Sequence, residues 1–482
     1  MDRIKIAEIA IKTARAQGAD YVDARVEKIQ DEELSISDGK IEPAVQAITT
    51  GIGIRVKVSG GWGFAATDNM SESNIREKAG LAVEIARASA NLNQGRLDMA
   101  PVKAVKGEYL SPHEVDPFTV PLEKKIAFLT DIDGAITSAG GEKINSRNCF
   151  VSFRKSDKIM VSSEGAEIRQ IIIQSGSGMS LGLVKSHRER FNRSYPSSAG
   201  QYECKGDELL DELKMIEAIP RLVEEIGALQ TAEPCPSKET TILLSGDQVS
   251  LQLHESVGHP LELDRVFGSE RNFSGASFAT TDKLDNLKYA YDIVTIASDT
   301  TVPHGLASSG YDDEGVASHR ADLIKNGLMV NYLSSRETAA RIGKMSTGAA
   351  RADSWASVPL VRITNICLVP GDKSFEEILS GIDDGIYMDT VGSWSIDDER
   401  KYFKFGCEIG WLIKGGKLTT PIVNPTYSGC TVDFWNKCSA IANKDSYRIW
   451  GTPNCGKGEP GQIARTGQGA APCRFDRIQV GG

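Results

Sequence analysis

The sequence predicts an α+β fold, with an N-terminal α/β region on a largely antiparallel sheet and a large β-rich C-terminal domain. Apolar residues at 22–26 and 52–58 alternate with polar ones, the period of half-buried strands, and segments of helical periodicity flank these runs. Past Thr240, short β-type runs are broken repeatedly by glycine. A length of 482 residues, 40% hydrophobic and 25% charged, suits an ordinary globular protein of about three domains.

In chain order, residues 1–20 (MDRIKIAEIAIKTARAQGAD) read as an amphipathic helix. Tyr21 to Gln30 sets Val22, Ala24 and Val26 against Asp23, Arg25 and Glu27, a strand with one face wet. Leu34 and Ile36 continue it to Asp38-Gly39, a dipeptide that tolerates the positive φ of a tight hairpin turn. Ile52, Ile54, Val56 and Val58 form the next strand, which stops at Gly60-Gly61. Ser71 is the expected N-cap of a helix whose stripe is Ile75, Ala79, Ala82, Val83 and Ala86. The aperiodic stretch 91–118, with Pro101, Pro112 and Pro117, reads as a linker, so a first domain is placed at 1–105. A helix over Leu122–Ala139, a meander and a long helix over 206–228 make a second domain at 106–232. The meander runs through Val151, Phe153, Ile159, Val161 and Ile168–Ile173, with turns expected at Ser156-Asp157 and Ser163-Glu164-Gly165. Beyond the boundary at Thr231–Ser237, a β-rich domain occupies 233–482.

Lys and Arg number 55 and Asp and Glu 65, a net charge of −10 with no basic surplus, so nucleic acid is not the expected ligand. No run approaches the roughly 18 apolar residues of a membrane span, and the start lacks the pattern of a signal peptide. A cytoplasmic protein without a membrane partner is expected. Nine cysteines lie scattered without a CxxC pair, which argues against a disulfide framework.

Chemistry is concentrated in the middle of the chain. Two of only six histidines fall in His254-Glu255-Ser256-Val257-Gly258-His259-Pro260, on a helix expected after the strand Thr240–Leu244 and the turn Ser245–Asp247. In the zinc-peptidase pattern H-E-x-x-H the histidines are about 40° apart around a helix and reach one metal. At i, i+5 they are about 140° apart on a regular helix, so a straight helix does not aim both at one ion. Gly258 permits a bulge, and Pro260 disfavours helical geometry at His259; a one-residue bulge or a helix end there would swing His259 back towards His254. Glu255 would then be the base for a water at the metal. The other reading is a half-buried His254 with His259 capping the helix against its dipole. A zinc site also needs a third protein ligand. Glu262 and Asp264 are near in sequence, and His304, His319 and the cysteines are further away; spacing does not choose among them.

HESVGHPLELD resembles the H-E-x-x-x-H signature of the TldD/PmbA family of metallopeptidases, on its TldD side. Other blocks agree: Ile54-Arg55-Val56 with Gly60-Gly61-Trp62-Gly63-Phe64-Ala65, Ser309–Gly315, Arg351-Ala-Asp-Ser-Trp355, Arg362-Ile-Thr-Asn365, Cys455-Gly456-Lys457 and Phe475–Gly482. The resemblance implies a Zn2+ site made by His254, His259 and Cys455, with Glu255 as the catalytic carboxylate. It further implies a dimer, either a homodimer or a heterodimer with a PmbA-like paralogue, that encloses the site and cuts unstructured peptides or matures peptide precursors. The chain departs from the family pattern at Gly392–Phe403 (GSWSIDDERKYF), which bears on substrate preference.

Other motifs carry less. Asp312-Asp313-Glu314-Gly315 reads as a solvated turn, with a second acidic site as the alternative. Gly60–Gly63 and Cys455–Gly461 do not fit phosphate-loop spacing and read as turns. In the segment Gly451–Gly458, read as a loop, glycines would let backbone approach a metal and Lys457 would favour a Cys455 thiolate. The expectation is a cytoplasmic zinc metallopeptidase; the alternative is a non-catalytic metal-binding assembly or regulatory partner of a PmbA-like paralogue.

Overall fold

The computed structural model describes residues 2–91, 98–187 and 189–482. Helix α1 (Arg3–Ala16) is capped by Asp2, whose carboxylate accepts from the Ile4 N–H at 3.1 Å. It packs with α2 (Glu72–Ala90) through Ile6, Ala10, Ile75 and Ala79 on a nine-stranded sheet. At the centre of that sheet, β1 (Tyr21–Ser37) pairs antiparallel with β2 (Val45–Val58), which pairs with β3 (Gly61–Thr67). The other edge of β1 is taken by β5 (Ser146–Ser162), followed by β6 (Glu167–Val184) and, parallel to it, β4 (Lys106–Leu110). Helices α3 (Leu122–Gly140), α4 (Glu208–Glu212) and α5 (Met215–Leu229) cover the same sheet further along, over Leu34, Ile36, Val151 and Leu181. Residues 1–105 and 106–232, expected as separate domains, therefore share one sheet.

Several local expectations are corrected. The stretch expected as a linker contains β4, while its residues 92–97 lie outside the described residues. Ser71 sits at the N-cap of α2, but its hydroxyl makes no capping bond. No turn forms at Ser156-Asp157: β5 runs straight through, because Ser156 Oγ donates to Glu27 at 2.6 Å and Asp157 is held by Arg3 at 2.6 Å. The helix expected over 206–228 is two helices, broken where Lys214 takes a left-handed φ of 52°. The turns at Asp38-Gly39 (φ 49° and 78°) and Gly165 (φ 95°) form where the sequence places them.

The largest correction concerns the polar face of β1, expected to be wet. Val22, Ala24 and Val26 do face the helices, but Asp23, Arg25 and Glu27 on the opposite face are buried as well. That face is covered by the C-terminal domain, and the segment expected as a solvated turn, Asp312–Gly315, is what meets it. Arg55 lies 2.8 Å from Asp23 and 3.0 Å from Glu314, Lys158 binds Asp313, and Arg25 lies 3.7 Å from Asp313. Glu314 also accepts from the Arg336 N–H at 2.6 Å. Asp313 and Glu314 are thus buried partners of the sheet, and the segment is not the expected solvated turn. Close approach of the two layers needs glycine on β2: a Cβ on Gly51 would stand 2.4 Å from the Trp355 ring, and one on Gly53 would stand 2.2 Å from the Trp355 carbonyl oxygen.

The C-terminal domain has two larger sheets. In the eight-stranded one, β7 (Lys238–Leu244) runs parallel to β8 (Asp384–Ile396), which pairs antiparallel with β9 (Tyr402–Lys414). In the six-stranded one, β10 (Arg448–Lys457) is an edge beside β11 (Gln462–Ala470). Helix α6 (Gly246–Leu253) follows β7 directly and packs against β8 and β11. Among the described residues no helix is long and apolar enough to cross a membrane.

Removing Arg55 would take from Asp23 and Glu314 their ion-pair partner at a buried position, a defect worth about 3–5 kcal/mol. Arg55→Met is therefore expected to lower unfolding free energy in urea by that amount. Arg76→Met, which breaks an exposed pair with Glu72, should change it by less than about 0.5 kcal/mol.

Candidate metal centre

The Ser245 hydroxyl caps α6 by accepting from the Gln248 N–H at 3.3 Å, and Val249, Leu253 and Val257 point into the core. After Leu253 the helix does not continue as α. Residues His254–Gly258 form one π-type turn, closed by the His259 N–H donating to the His254 carbonyl. Five residues per hydrogen bond instead of four add one residue to the turn. This brings the i, i+5 histidines onto one side, with ring centroids 4.8 Å apart.

Pro260 contributes differently from what the sequence suggests. His259 keeps helical dihedrals (φ −62°, ψ −44°), so proline does not bend the chain at that residue. What Pro260 lacks is the N–H that would satisfy the Ser256 carbonyl in an α-helix. That carbonyl accepts instead from the Tyr289 hydroxyl, while Trp435 Nε1 donates to Ser256 Oγ at 2.9 Å. Gly258 also keeps helical dihedrals, and its value is space: a Cβ there would lie 2.7 Å from Ile363 Cδ1.

Cys455 arrives from the other sheet. The segment expected as a loop is strand β10, whose register against β11 shifts between Thr452 and Cys455. Such a bulge re-aims the next side chain. Donor atoms of His254, His259 and Cys455 all lie within 4.8 Å of one another, and Cys455 Sγ is 3.5 Å from His259 Nε2. All three residues are buried.

The outer partners fix which ring atoms face inward. His259 Nδ1 donates to Glu262 at 2.9 Å, and His254 Nδ1 lies 3.0 Å from the Gln468 side-chain amide nitrogen. For His259 this leaves Nε2 for the centre, the usual arrangement behind a ligating histidine, whereas at His254 the Gln468 amide nitrogen donates to Nδ1. Glu262, one of the alternative third ligands, is thus the orienting partner of His259, and it also accepts from the Ile363 N–H at 3.0 Å. Asp264, the other, lies 2.7 Å from Lys457 Nζ. Lys457 faces Asp264, Glu262 and Glu270 and does not supply the charge that favours the thiolate. Burial opposes the Cys455 thiolate, but the imidazoles of His254 and His259 outweigh it and hold the thiol well below its ordinary pKa. Burial likewise opposes protonation of His259, yet the Cys455 and Glu262 charges raise it to about 9.

Glu255 follows the first histidine and is nearly buried. One of its oxygens, Oε2, accepts from Arg400 Nη1 at 2.7 Å, and Oε1 accepts no hydrogen bond among the described residues. Burial pushes its carboxyl up, but the charges of His259, His254 and Arg400 prevail and leave it below the ordinary range. Arg400 is the residue that sequence reasoning missed. It stands at the tip of the β8–β9 hairpin, within the Gly392–Phe403 departure, with a left-handed φ of 62°. The hairpin is pinned there: the Ala276 and Phe278 N–H groups donate to the Asp398 and Glu399 carbonyls at 2.8 and 3.0 Å, and Thr431 Oγ1 donates to the Arg400 carbonyl at 2.9 Å. The left-handed backbone of a bulky residue marks this position in the structure, and no pattern in the sequence pointed to it.

The remaining candidates lie outside the cluster. His304 Nδ1 is 3.2 Å from the Cys204 carbonyl, and His319 Nδ1 is 2.9 Å from the Ala317 carbonyl. Cys473 is a core residue at the start of the strand Cys473–Val480, and Cys430 is half-buried ahead of a short helix.

Comparison with known proteins identifies the family. Models of the PmbA/TldA metallopeptidase family match as domain 1 over residues 22–86, the central domain over 115–229 and the C-terminal domain over 237–482. A protein of Methanocaldococcus jannaschii named as a metalloprotease is 29% identical over 455 residues, covering 94% of this chain and 96% of that one. A Saccharolobus solfataricus protein named "Zinc metalloprotease TldD homolog" is 25% identical, with 98% and 99% covered. The fold is shared with TldE from Thermococcus kodakarensis (TM-score 0.74, 16% identity, 99% of this chain and 100% of that one) and with a Thermotoga maritima protein (TM-score 0.78, 16% identity, 99% and 100%). With its three family segments spread over most of its length, the chain belongs to the PmbA/TldD family of metallopeptidases.

Proposed function

We propose that the protein is a zinc-dependent peptidase that cleaves unstructured peptides or processes peptide precursors, with Glu255 as general base. The observation that carries this is one buried point where two imidazoles and a thiol converge beside an ionised carboxylate whose second oxygen accepts no hydrogen bond among the described residues. The donor set fits zinc: three N and S ligands leave a fourth position open, the pattern of catalytic rather than structural sites. Zinc bound there supplies Lewis acidity, which polarises a peptide carbonyl and lowers the pKa of water. His254 and His259 would hold it through their imidazoles and Cys455 through Sγ, with Glu262 accepting from His259 Nδ1 and so fixing that ring. Glu255 Oε1 takes a proton from the attacking water and returns it to the leaving amine, while Arg400 keeps Oε2 and so fixes the carboxylate plane.

All nine cysteines are free thiols, which suits a reducing compartment, and we place the protein in the cytoplasm on that ground. We also propose that it works as a dimer, with a second copy or a PmbA-like paralogue. Ile41, Val45 and Ile48 stand exposed at the end of the β1–β2 hairpin, an apolar surface suited to such a contact.

Three outcomes test this reading. Glu255→Gln should keep its zinc, measured by elemental analysis, while peptide hydrolysis falls about 10²–10⁴-fold; stoichiometric loss of zinc would instead make Glu255 a ligand. Cys455→Ala should lose both zinc and hydrolysis, whereas Cys430→Ala and Cys473→Ala should keep both. Arg400→Ala should bind zinc normally and lower kcat about 10–100-fold with KM little changed, and Arg400→Lys should recover part of the loss.

A further inference from the structure

A cavity of about 800 Å³ lies between the polar face of the N-terminal sheet and the C-terminal domain. It adjoins the ligand cluster: Asn454 and Ala464 in its wall are the chain neighbour and the cross-strand partner of Cys455. Its charges do not balance locally. The inward carboxylates are engaged, Asp31 by Arg154 at 3.2 Å, Asp313 by Lys158, Glu27 by Ser156 Oγ, and Asp312 by the N–H groups of Glu314 and Val316 at 2.9 Å. Two guanidinium groups have no carboxylate within ion-pair distance, although the charge of Asp313 reaches Arg351 and those of Asp31 and Glu33 reach Arg465. Arg351 donates only to the backbone carbonyls of Arg465 and Ile363, and its Nε is buried without a partner. Arg465 donates no hydrogen bond among the described residues, and its Nη1 is buried without an acceptor. Glu33, exposed nearby, forms no ion pair with it.

A buried donor without an acceptor is unfavourable, and a buried cation more so. Burial and the adjacent Arg154 push Arg465 down to about 10, and burial with Arg362 does the same to Arg351, so both still carry charge at neutral pH. A carboxylate is one partner that would meet both groups. A planar guanidinium matches the two oxygens of a carboxylate, and the surrounding Asp31, Glu27 and Asp353 would repel a polyanion.

We propose that this cavity is a carboxylate subsite: Arg465 and Arg351 bind a carboxylate of the peptide, anchoring it so that the chain passes Asn454 towards the metal centre. This rests on the peptidase reading and names the substrate feature that it selects, a peptide with a carboxylate at a fixed distance from the scissile bond. Either the α-carboxylate or an Asp or Glu side chain offers the chemistry.

The test uses the full-length, zinc-loaded protein carrying Glu255→Gln, so that peptide is bound and not cut. A fluorescein-labelled heptapeptide without acidic side chains is titrated by anisotropy as free acid, as C-terminal amide, and as amide with one internal Glu. Amidation is expected to weaken binding about 10- to 100-fold if the α-carboxylate is read. Recovery of affinity by the internal Glu would assign the side-chain source. With Arg465→Gln added, all three forms should bind alike, and with Arg465→Lys, which keeps the charge, a reduced preference should persist. Equal binding of the three forms before any change at Arg465, or an unaltered preference in Arg465→Gln, overturns the subsite. Hydrolysis by the wild-type protein is followed separately: no hydrolysis with the carboxylate preference intact removes the peptidase reading alone, and hydrolysis with no preference removes the subsite alone.

Discussion

One backbone hydrogen bond, from the His259 N–H to the His254 carbonyl, closes the turn that brings the two histidines to one side of the chain. On a regular helix, side chains five residues apart diverge by about 140°. The π-type turn absorbs the extra residue, and its neighbours keep it in place. Pro260 withdraws the donor that an α-helical ladder would need, Tyr289 takes the freed Ser256 carbonyl, and Ile363 fills the space above Gly258. The same Ile363 gives its N–H to Glu262, the partner of His259. Turn, ligand and orienting carboxylate are thus tied to one segment, and a shift in any of them would move the others.

The second constraint is electrostatic. The protein buries many charged groups, and several of them meet a partner from a distant part of the chain. Arg55 and Glu314 meet across 259 residues, and His259 and Cys455 across 196. The polar face of the N-terminal sheet is consequently an interface, and His254, His259 and Cys455 cluster in the β-rich domain, with a cavity walled by both parts beside the strand that carries Cys455. Where the matching is incomplete, at Arg351 and Arg465, the imbalance falls beside the centre, where a substrate group can complete it.

The α+β class and most elements were legible because they are written in local periodicity: the helix-facing residues of β1 and α2 follow from alternation and from one apolar stripe. The polar face of β1 was misread because alternation reports only that two faces differ, not what covers the polar one; its cover, Asp313 and Glu314, is remote in sequence. Ser156-Asp157 misled for a related reason, since residues that favour turns remain in a strand when ion pairs hold them there. At the site, the spacing of His254 and His259 with Gly258 and Pro260 foretold a bulge, though both residues act by means other than their own dihedrals. Nothing local singled out Cys455 among nine cysteines, and only the family resemblance nominated it. Arg400 was out of reach altogether, being 145 residues from Glu255 on a hairpin tip.

The claim on which the account stands is that two imidazoles and one thiolate hold a zinc ion, and zinc K-edge X-ray absorption on the purified full-length protein addresses it without relying on turnover. The account predicts one sulfur scatterer at about 2.3 Å, together with imidazole nitrogens at about 2.0–2.1 Å and the outer-shell signature of two histidines. A shell without sulfur, a shell of several sulfurs, or zinc that fails to bind stoichiometrically would contradict it.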